Sequence, residues 1–367
     1  MKIGWIFPQK KMCGISFYSH KYVQTLNKYG DIVCIDPVDF LTNRIETIRI
    51  LRQCGLVHIQ YETAFFLGKS RDFYFDLCAS IRCPIIVTIH EVYDRFPGVY
   101  PRESITGIYP LRLLKRRLYD FRHPYPTALT KHTSQGFRGR ALCVHSLFQK
   151  ELLLNKNPRL PAISVLPVPI GLPASAPAPS WDGHSTLCLT ATGFISDSID
   201  YNLLIATLAL CEMPWKFTWI GTVRRPDDNQ LLDTLREEIG RRGWVERFII
   251  TGAVSEEQRD ALLGEAHIYC AFFKYKSSSE SLATAIAARS MIVATSLPLT
   301  REMIAEFPLM VIAPSDSNEM AKALSRLATD KSLRESLDTA LTAYSMKYSR
   351  ERMAKHLNEL YEQVIRK

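Results

Sequence analysis

Short apolar runs alternate with helix-period segments along the whole chain, and one proline-rich stretch interrupts them. A strand buried on both faces reads as an unbroken apolar run, and two parallel neighbours need a crossover between them, usually a helix. This texture therefore predicts an α/β protein with doubly wound sheets. In the first half, strands are expected at residues 2–7, 32–35, 56–60, 85–89, 141–145 and 163–167, with helices at 19–28 and 44–54. The run Pro167-Val168-Pro169-Ile170-Gly171-Leu172-Pro173 continues into further prolines before Ser180. Proline lacks the amide that a helix interior or a central strand requires, so this stretch is the expected linker. Beyond it, strands are expected at 186–191, 216–220, 248–251, 268–272, 292–294 and 310–312, and helices at 202–211, 231–240, 255–263 and 280–289. The chain closes on an amphipathic helix, 350–367, in which Leu357, Leu360, Tyr361 and Val364 make one apolar stripe.

A chain of 367 residues is long for one core and suits two domains. They are expected at 1–170 and 181–345, with 346–367 returning to the first. No apolar run is long enough to span a bilayer. Residues 1–8 open directly on a strand pattern, without the charged, apolar and cleavage regions of an export signal, so a cytoplasmic location is expected. The nine cysteines stand singly with no CxxC pair, which argues against zinc sites and for reduced, mostly buried thiols. The formal net charge of +9 suits nucleic acid, anionic lipid or an anionic substrate, and equally a solvated cationic surface.

Open α/β sheets bind ligands in the crevice beyond the carboxyl ends of their strands. After the first strand come Met12-Cys13-Gly14-Ile15-Ser16-Phe17-Tyr18 and a helix. Gly14 would let the backbone approach an anion at the helix start, or simply make a tight turn. Val57-His58-Ile59-Gln60-Tyr61-Glu62 and Val87-Thr88-Ile89-His90-Glu91 each place polar side chains just past a buried strand. His90 stands where a ligand would be met, whereas His58 lies inside its strand and is expected to be structural. In the second half, Gly193 and Gly221 each follow a strand, and Arg224 and Arg225 come next. These arginines either neutralise an anion or lie in a solvated loop. Ser277, Ser278 and Ser279 open a helix, followed by Glu280. Hydroxyls and unpaired amides at a helix start can take a phosphate. A plain serine cap, with Glu280 complementing the helix dipole, is the other reading.

Taken in order, several segments resemble the successive motifs of GT4-type glycosyltransferases (glycosyl transferases group 1). They are Gly14-Ile15 with Tyr18, residues 58–62, residues 88–90, Thr192-Gly193-Phe194-Ile195, Trp219-Ile220-Gly221, Thr251-Gly252-Ala253-Val254 and residues 277–294. The resemblance covers essentially the whole chain and rests on order and spacing. It implies the GT-B fold: two doubly wound Rossmann-like domains facing a cleft, with the C-terminal helix crossing back to the first. It also implies a retaining, metal-independent hexosyltransferase that moves a sugar from a nucleoside-diphosphate sugar to an acceptor hydroxyl. No cofactor and no protein nucleophile are then needed. On this resemblance His90 and Glu280 are the expected catalytic residues. Gly14, Gly193, Gly221, Arg224, Arg225, Ser277, Ser278, Ser279 and Thr284 would bind the donor, and Tyr18, Glu62 and Glu91 the acceptor. There are departures. The Arg and Lys that follow the family's first donor-domain glycine fall here on Phe194 and Ile199, and its paired glutamates fall near Lys276 and Thr284. The turn 277–282 resembles a serine-rich variant found in some relatives.

Residues 111–140 carry Arg112, Lys115, Arg116, Arg117, Arg122, Lys131, Arg138 and Arg140, interleaved with Leu111, Leu113, Leu114, Leu118, Tyr119 and Phe121. Such a segment can rest on the anionic inner face of a membrane, bind the phosphates of a lipid-linked acceptor, or remain a solvated rim. The expected partners are thus a nucleotide-sugar donor and a glycan or lipid-linked acceptor, in glycan or glycoconjugate synthesis. The missing cations and glutamates support a rival reading, a non-catalytic GT-B-like binding or scaffolding protein. A nucleotide-sugar epimerase of the same shape is a further rival. The basic residues form no recognised nucleic-acid motif, so no nucleic-acid partner is expected.

Overall fold

A computed structural model describes residues 1–10, 13–67, 72–93, 128–129, 131–223, 228–306, 310–313 and 316–366. The chain divides into two compact units, Met1–Pro167 with Glu351–Lys367, and Val168–Arg350.

In the first unit the described strands are β1 (Lys2–Ile6), β2 (Asp31–Ile35), β3 (Leu56–Tyr61), β4 (Ile85–Ile89), β5 (Ala141–Val144) and β6 (Ile163–Val165). They pair in parallel in the order β2-β1-β3-β4-β5-β6. The order reverses between β1 and β3, which makes that edge the topological switch point. All six residues of β3 are buried, the polar His58 and Gln60 included. Helices α1 (Gly14–Leu26), α2 (Asp39–Thr42), α3 (Arg44–Leu51), α4 (Tyr74–Ser80) and α5 (Leu147–Lys156) cover this sheet. Helix α1 buries Tyr18, Ser19, Tyr22, Val23 and Leu26, the spacing of one helical face.

In the second unit the described strands are β7 (Leu187–Thr192), β8 (Trp215–Ile220), β9 (Phe248–Ile250), β10 (Ile268–Ala271), β11 (Met291–Thr295) and β12 (Met310–Ile312). Their order is β12-β11-β10-β7-β8-β9, again all parallel, with the switch point between β7 and β10. The helices are α6 (Tyr201–Ala209), α7 (Asn229–Arg241), α8 (Glu256–Gly264), α9 (Glu280–Ala287), α10 (Pro298–Ile304), α11 (Ser317–Thr329) and α12 (Lys331–Lys347). The proline-rich stretch groups with this unit. Ala174 N donates to Ala287 O at 2.8 Å, and Arg289 donates to the carbonyls of Ala174 and Ser175. The buried Arg334 donates to Pro179 O at 2.5 Å. Arg289 is itself held by a bidentate pair with Asp338, at 2.8 and 2.5 Å.

The last helix, α13 (Arg350–Ile365), groups almost entirely with the first unit. It buries Met353, Ala354, Leu357 and Tyr361, and the Tyr361 hydroxyl lies 2.7 Å from His58 Nδ1. His58 Nε2 lies 2.7 Å from Thr88 Oγ1, so His58 is a fully satisfied core residue. Burial pushes its pKa down to about 3.

Of the basic segment, Arg112, Lys115, Arg116, Arg117 and Arg122 lie outside the described residues, as do Arg224 and Arg225. Two described cations of that segment rest on aromatic rings, Lys131 over Phe75 at 4.7 Å and Arg140 over Tyr74 at 5.9 Å. Among the described residues no helix is long and apolar enough to cross a membrane.

Candidate active site

In the first unit, polar side chains gather where β3, β4 and β5 end. His90 follows β4 directly, and its amide donates to Tyr61 O at 3.2 Å, which continues the ladder past the strand end. Its ring is buried: Nε2 lies 2.9 Å from Gln60 Oε1 and Nδ1 lies 3.0 Å from His145 Nε2. His145 follows β5 as His90 follows β4, and its Nδ1 lies 2.9 Å from Leu166 O. Gln149, in the first turn of α5, clasps the two strand ends. Its amide nitrogen donates to His90 O at 3.0 Å, and its oxygen accepts from His145 N at 2.6 Å. Tyr18 of α1 meets both rings edge-on, at 5.1 Å from His90 and 5.9 Å from His145. Burial, and then the neighbouring His145 and His58, hold the pKa of His90 well below the usual histidine range. Burial likewise pushes His145 down to about 4.

The structure thus brings Tyr18 and His90 into contact. Glu62 and Glu91, both half-buried, follow the bonded pair Tyr61 and His90 in the chain. Gly14 opens α1, where Phe17 N donates to Cys13 O at 3.1 Å. Gln60, His145 and Gln149 were not singled out as site residues from the sequence. For His145 a signal existed, because it ends a predicted strand just as His90 follows one.

In the second unit the cluster is made of backbone. Gly193 and Gly221 follow β7 and β8, with φ of +119° and +148°. Both values lie in the region that favours glycine. A Cβ on Gly221 would stand 2.1 Å from Gly193 O, so the two turns touch through their main chains. Further bonds pin them. Trp219 Nε1 donates to Gly193 O at 3.0 Å, Gly221 N to Thr251 Oγ1 at 3.2 Å, and Ile195 N to Thr222 O at 2.9 Å.

A Cβ on Gly193 would lie 3.7 Å from Ser281 Cβ, so the first turn faces the start of α9. That helix is capped by Ser279, whose hydroxyl accepts from Leu282 N at 3.1 Å and lies 3.0 Å from Ser281 Oγ. Glu280 is its first residue, Ser277 is fully buried and Ser278 half-buried. The Thr284 hydroxyl donates to Glu280 O at 2.9 Å, an internal bond of the helix. The turn after β10 lies along the one after β7. Ile199 bridges Phe273, Lys274 N donates to Ser198 O at 2.8 Å, and Asp200 N donates to Phe272 O at 2.8 Å. Ile199 is buried there. The structure therefore brings the Gly193 and Gly221 turns and the start of α9 together at the switch point, the kind of place where helix-start amides and hydroxyls can meet an anion.

Residues 190–330 match the family model described as Glycosyl transferases group 1. No curated protein matches the chain by sequence. Among solved structures the chain is similar to HepE of Anabaena in complex with UDP-glucose. The TM-score is 0.72 at 11% identity, covering 99% of this chain and 100% of that one. It is also similar to a glycosyltransferase of Rickettsia africae, at TM-score 0.70 and 13% identity, covering 99% of this chain and 98% of that one. The sucrose-phosphate synthase of Thermosynechococcus elongatus gives TM-score 0.70 at 13% identity, with 99% of each chain covered. Identities this low speak for the fold. The chain thus has the GT-B fold, and its residues 190–330 are similar to the glycosyl transferases group 1.

Proposed function

We propose that this protein is a retaining, GT4-like glycosyltransferase that moves a sugar from a nucleoside-diphosphate sugar to an acceptor hydroxyl. The observation that carries the reading is the convergence of Gly193, Gly221 and the start of α9 at the β7/β10 switch point. A diphosphate fits such a place because it needs close backbone approach and several donors at once. As the bond to the anomeric carbon breaks, negative charge grows on the leaving phosphate. The first amides of α9 and the hydroxyls of Ser277, Ser278 and Ser279 are suited to meet it. In this scheme the departing phosphate takes the acceptor proton on the same face of the sugar, which gives retention without a protein nucleophile or a metal. Glu280, at the head of α9, is assigned to the sugar, and Arg224 and Arg225 to the diphosphate. The first unit is assigned to a glycan or lipid-linked acceptor, with His90 and Tyr18 nearest the reacting hydroxyl and Glu62 and Glu91 beside them. Work on glycans or glycoconjugates at the cytoplasmic face of a membrane belongs to the same proposal, with the cations of 112–117 as the membrane contact.

HepE was solved with UDP-glucose, which makes UDP-sugars the first candidates. A thermal-shift panel of UDP-, GDP- and ADP-sugars tests the reading. A ligand at about 100 times its dissociation constant adds about 2.7 kcal/mol to stability. The reading requires such a shift from one nucleotide class, and transfer or hydrolysis of that sugar. A second reading, a binding or scaffolding protein, is favoured by the buried Ile199 in the place of the family's cation. It requires either no shift, or a shift without turnover.

A further inference from the structure

Leu166 O is a carbonyl and can only accept, so the nitrogen 2.9 Å from it, His145 Nδ1, carries a proton. Burial keeps His145 neutral, which leaves its Nε2 with a lone pair. That lone pair faces His90 Nδ1 at 3.0 Å, and the contact is a hydrogen bond only if His90 Nδ1 carries a proton. His90 is neutral for the same reason, so its Nε2 is a lone pair too. It faces the side-chain amide of Gln60, whose Oε1 lies 2.9 Å away and whose buried Nε2 has no partner. Two lone pairs do not bond. The carboxamide is therefore read with its nitrogen toward His90, where it donates. Gln149 fixes the spacing of the two rings by holding His90 O and His145 N together. In the other His90 tautomer, lone pairs would oppose each other between the two rings.

We propose that His145 is a positioning residue that locks His90 in its Nδ1–H tautomer, so that His90 Nε2 receives a substrate hydroxyl as a hydrogen-bond acceptor. The tautomer stands on the hydrogen-bond geometry and on the neutrality of two buried rings; the role toward a hydroxyl rests on the glycosyltransferase reading. A hydroxyl that takes the place of the Gln60 amide then meets a lone pair, and no proton has to move before it binds. Gln60 holds that lone pair satisfied until a substrate arrives.

The test is spectroscopic and uses the full chain with 15N-labelled histidine and no nucleotide sugar. Imidazole nitrogen spectra separate a proton-bearing nitrogen from a lone-pair nitrogen, and His90→Gln identifies the His90 signals by their loss. The expected result is a protonated Nδ1 and a lone-pair Nε2 at His90. His145→Phe removes the acceptor, so the His90 proton should move to Nε2, and turnover should fall about tenfold, the weight of one hydrogen bond. In His145→Gln the side-chain oxygen can still accept, so the Nδ1–H tautomer and most of the turnover should return. A protonated Nε2 in the unaltered protein overturns the proposal, as does a tautomer that ignores His145→Phe. If His145→Phe does not fold, the unaltered protein and His145→Gln still decide. The expected tautomer in a protein that transfers no sugar refutes the glycosyltransferase reading and leaves the lock standing.

Discussion

The strand-edge clusters of the two units are built from different material. In the first, buried side chains make the cluster: His90, His145, Gln60 and Gln149 are bonded in one network, with Tyr18 against the rings. In the second, the main chain does, through two glycine turns in contact and a capped helix start. A side-chain site depends on protonation and on each partner in turn. A backbone site is indifferent to most side chains but cannot admit a Cβ. On the proposed glycosyltransferase reading, that contrast would let a donor site persist with Phe194 and Ile199 in the places of the family's cations. Backbone amides able to hold an anion belong to every residue type but proline.

Ways to break this contrast follow in order of effect. Gly221→Ala should be the most damaging change. The new Cβ would stand 2.1 Å from Gly193 O at a φ of +148°. Strain and overlap together should cost about 3 kcal/mol or more in urea unfolding, and should abolish nucleotide-sugar binding. Gly240→Ala is the control, because nothing lies within 4 Å of its Cβ and it sits in α7, where alanine is the better helix former.

His90→Ala should lower turnover about 100-fold, or about 2.7 kcal/mol, while nucleotide binding to the second unit is unchanged by calorimetry. Equal loss of both would erase the division of labour.

Acid should act mainly on the first unit. His58, His90 and His145 bind protons more weakly folded than unfolded. Below about pH 6.5 the unfolded chain takes up more protons, so stability falls as pH falls and is complete above that value. The loss should continue to about 4 for His145 and about 3 for His58. Each of these histidines contributes a slope of at most about 1.4 kcal/mol per pH unit. Denaturant melts between neutral pH and about pH 4 read this slope, and His145→Gln should remove one histidine's share.

Ser279→Ala should have the smallest effect. It removes a cap worth about 1 kcal/mol and weakens nucleotide binding several-fold without abolishing it. Full retention of binding would mean that the helix start holds nothing.

Each of the twelve described strands lies where the apolar runs place it, with ends moved by a residue or two. The reason is physical: strands such as β10 and β11 are buried on both faces and read as short apolar runs. Helix α1 begins at Gly14, earlier than expected; its first turn, Gly14-Ile15-Ser16-Phe17, has little helix propensity, which hides that start in the sequence. Contacts between distant residues were not legible. Gly193 and Gly221 could each be read as a turn, but their mutual approach belongs to the sheet, not to either segment. His90 and His145 are 55 positions apart and meet only because β4 and β5 are neighbours. The proline-rich stretch looked like a free connection, yet Arg289 and Arg334 bind its carbonyls from far along the chain.

Hydrogen exchange of the full chain, with and without a nucleotide sugar in excess, tests the central claim most directly. With the matching nucleotide class, protection should rise at residues 193–197, 221–223 and 277–284, the three turns that form the backbone site. Binding that protects other segments instead, or no protection with UDP-, GDP- and ADP-sugars alike, would contradict the account.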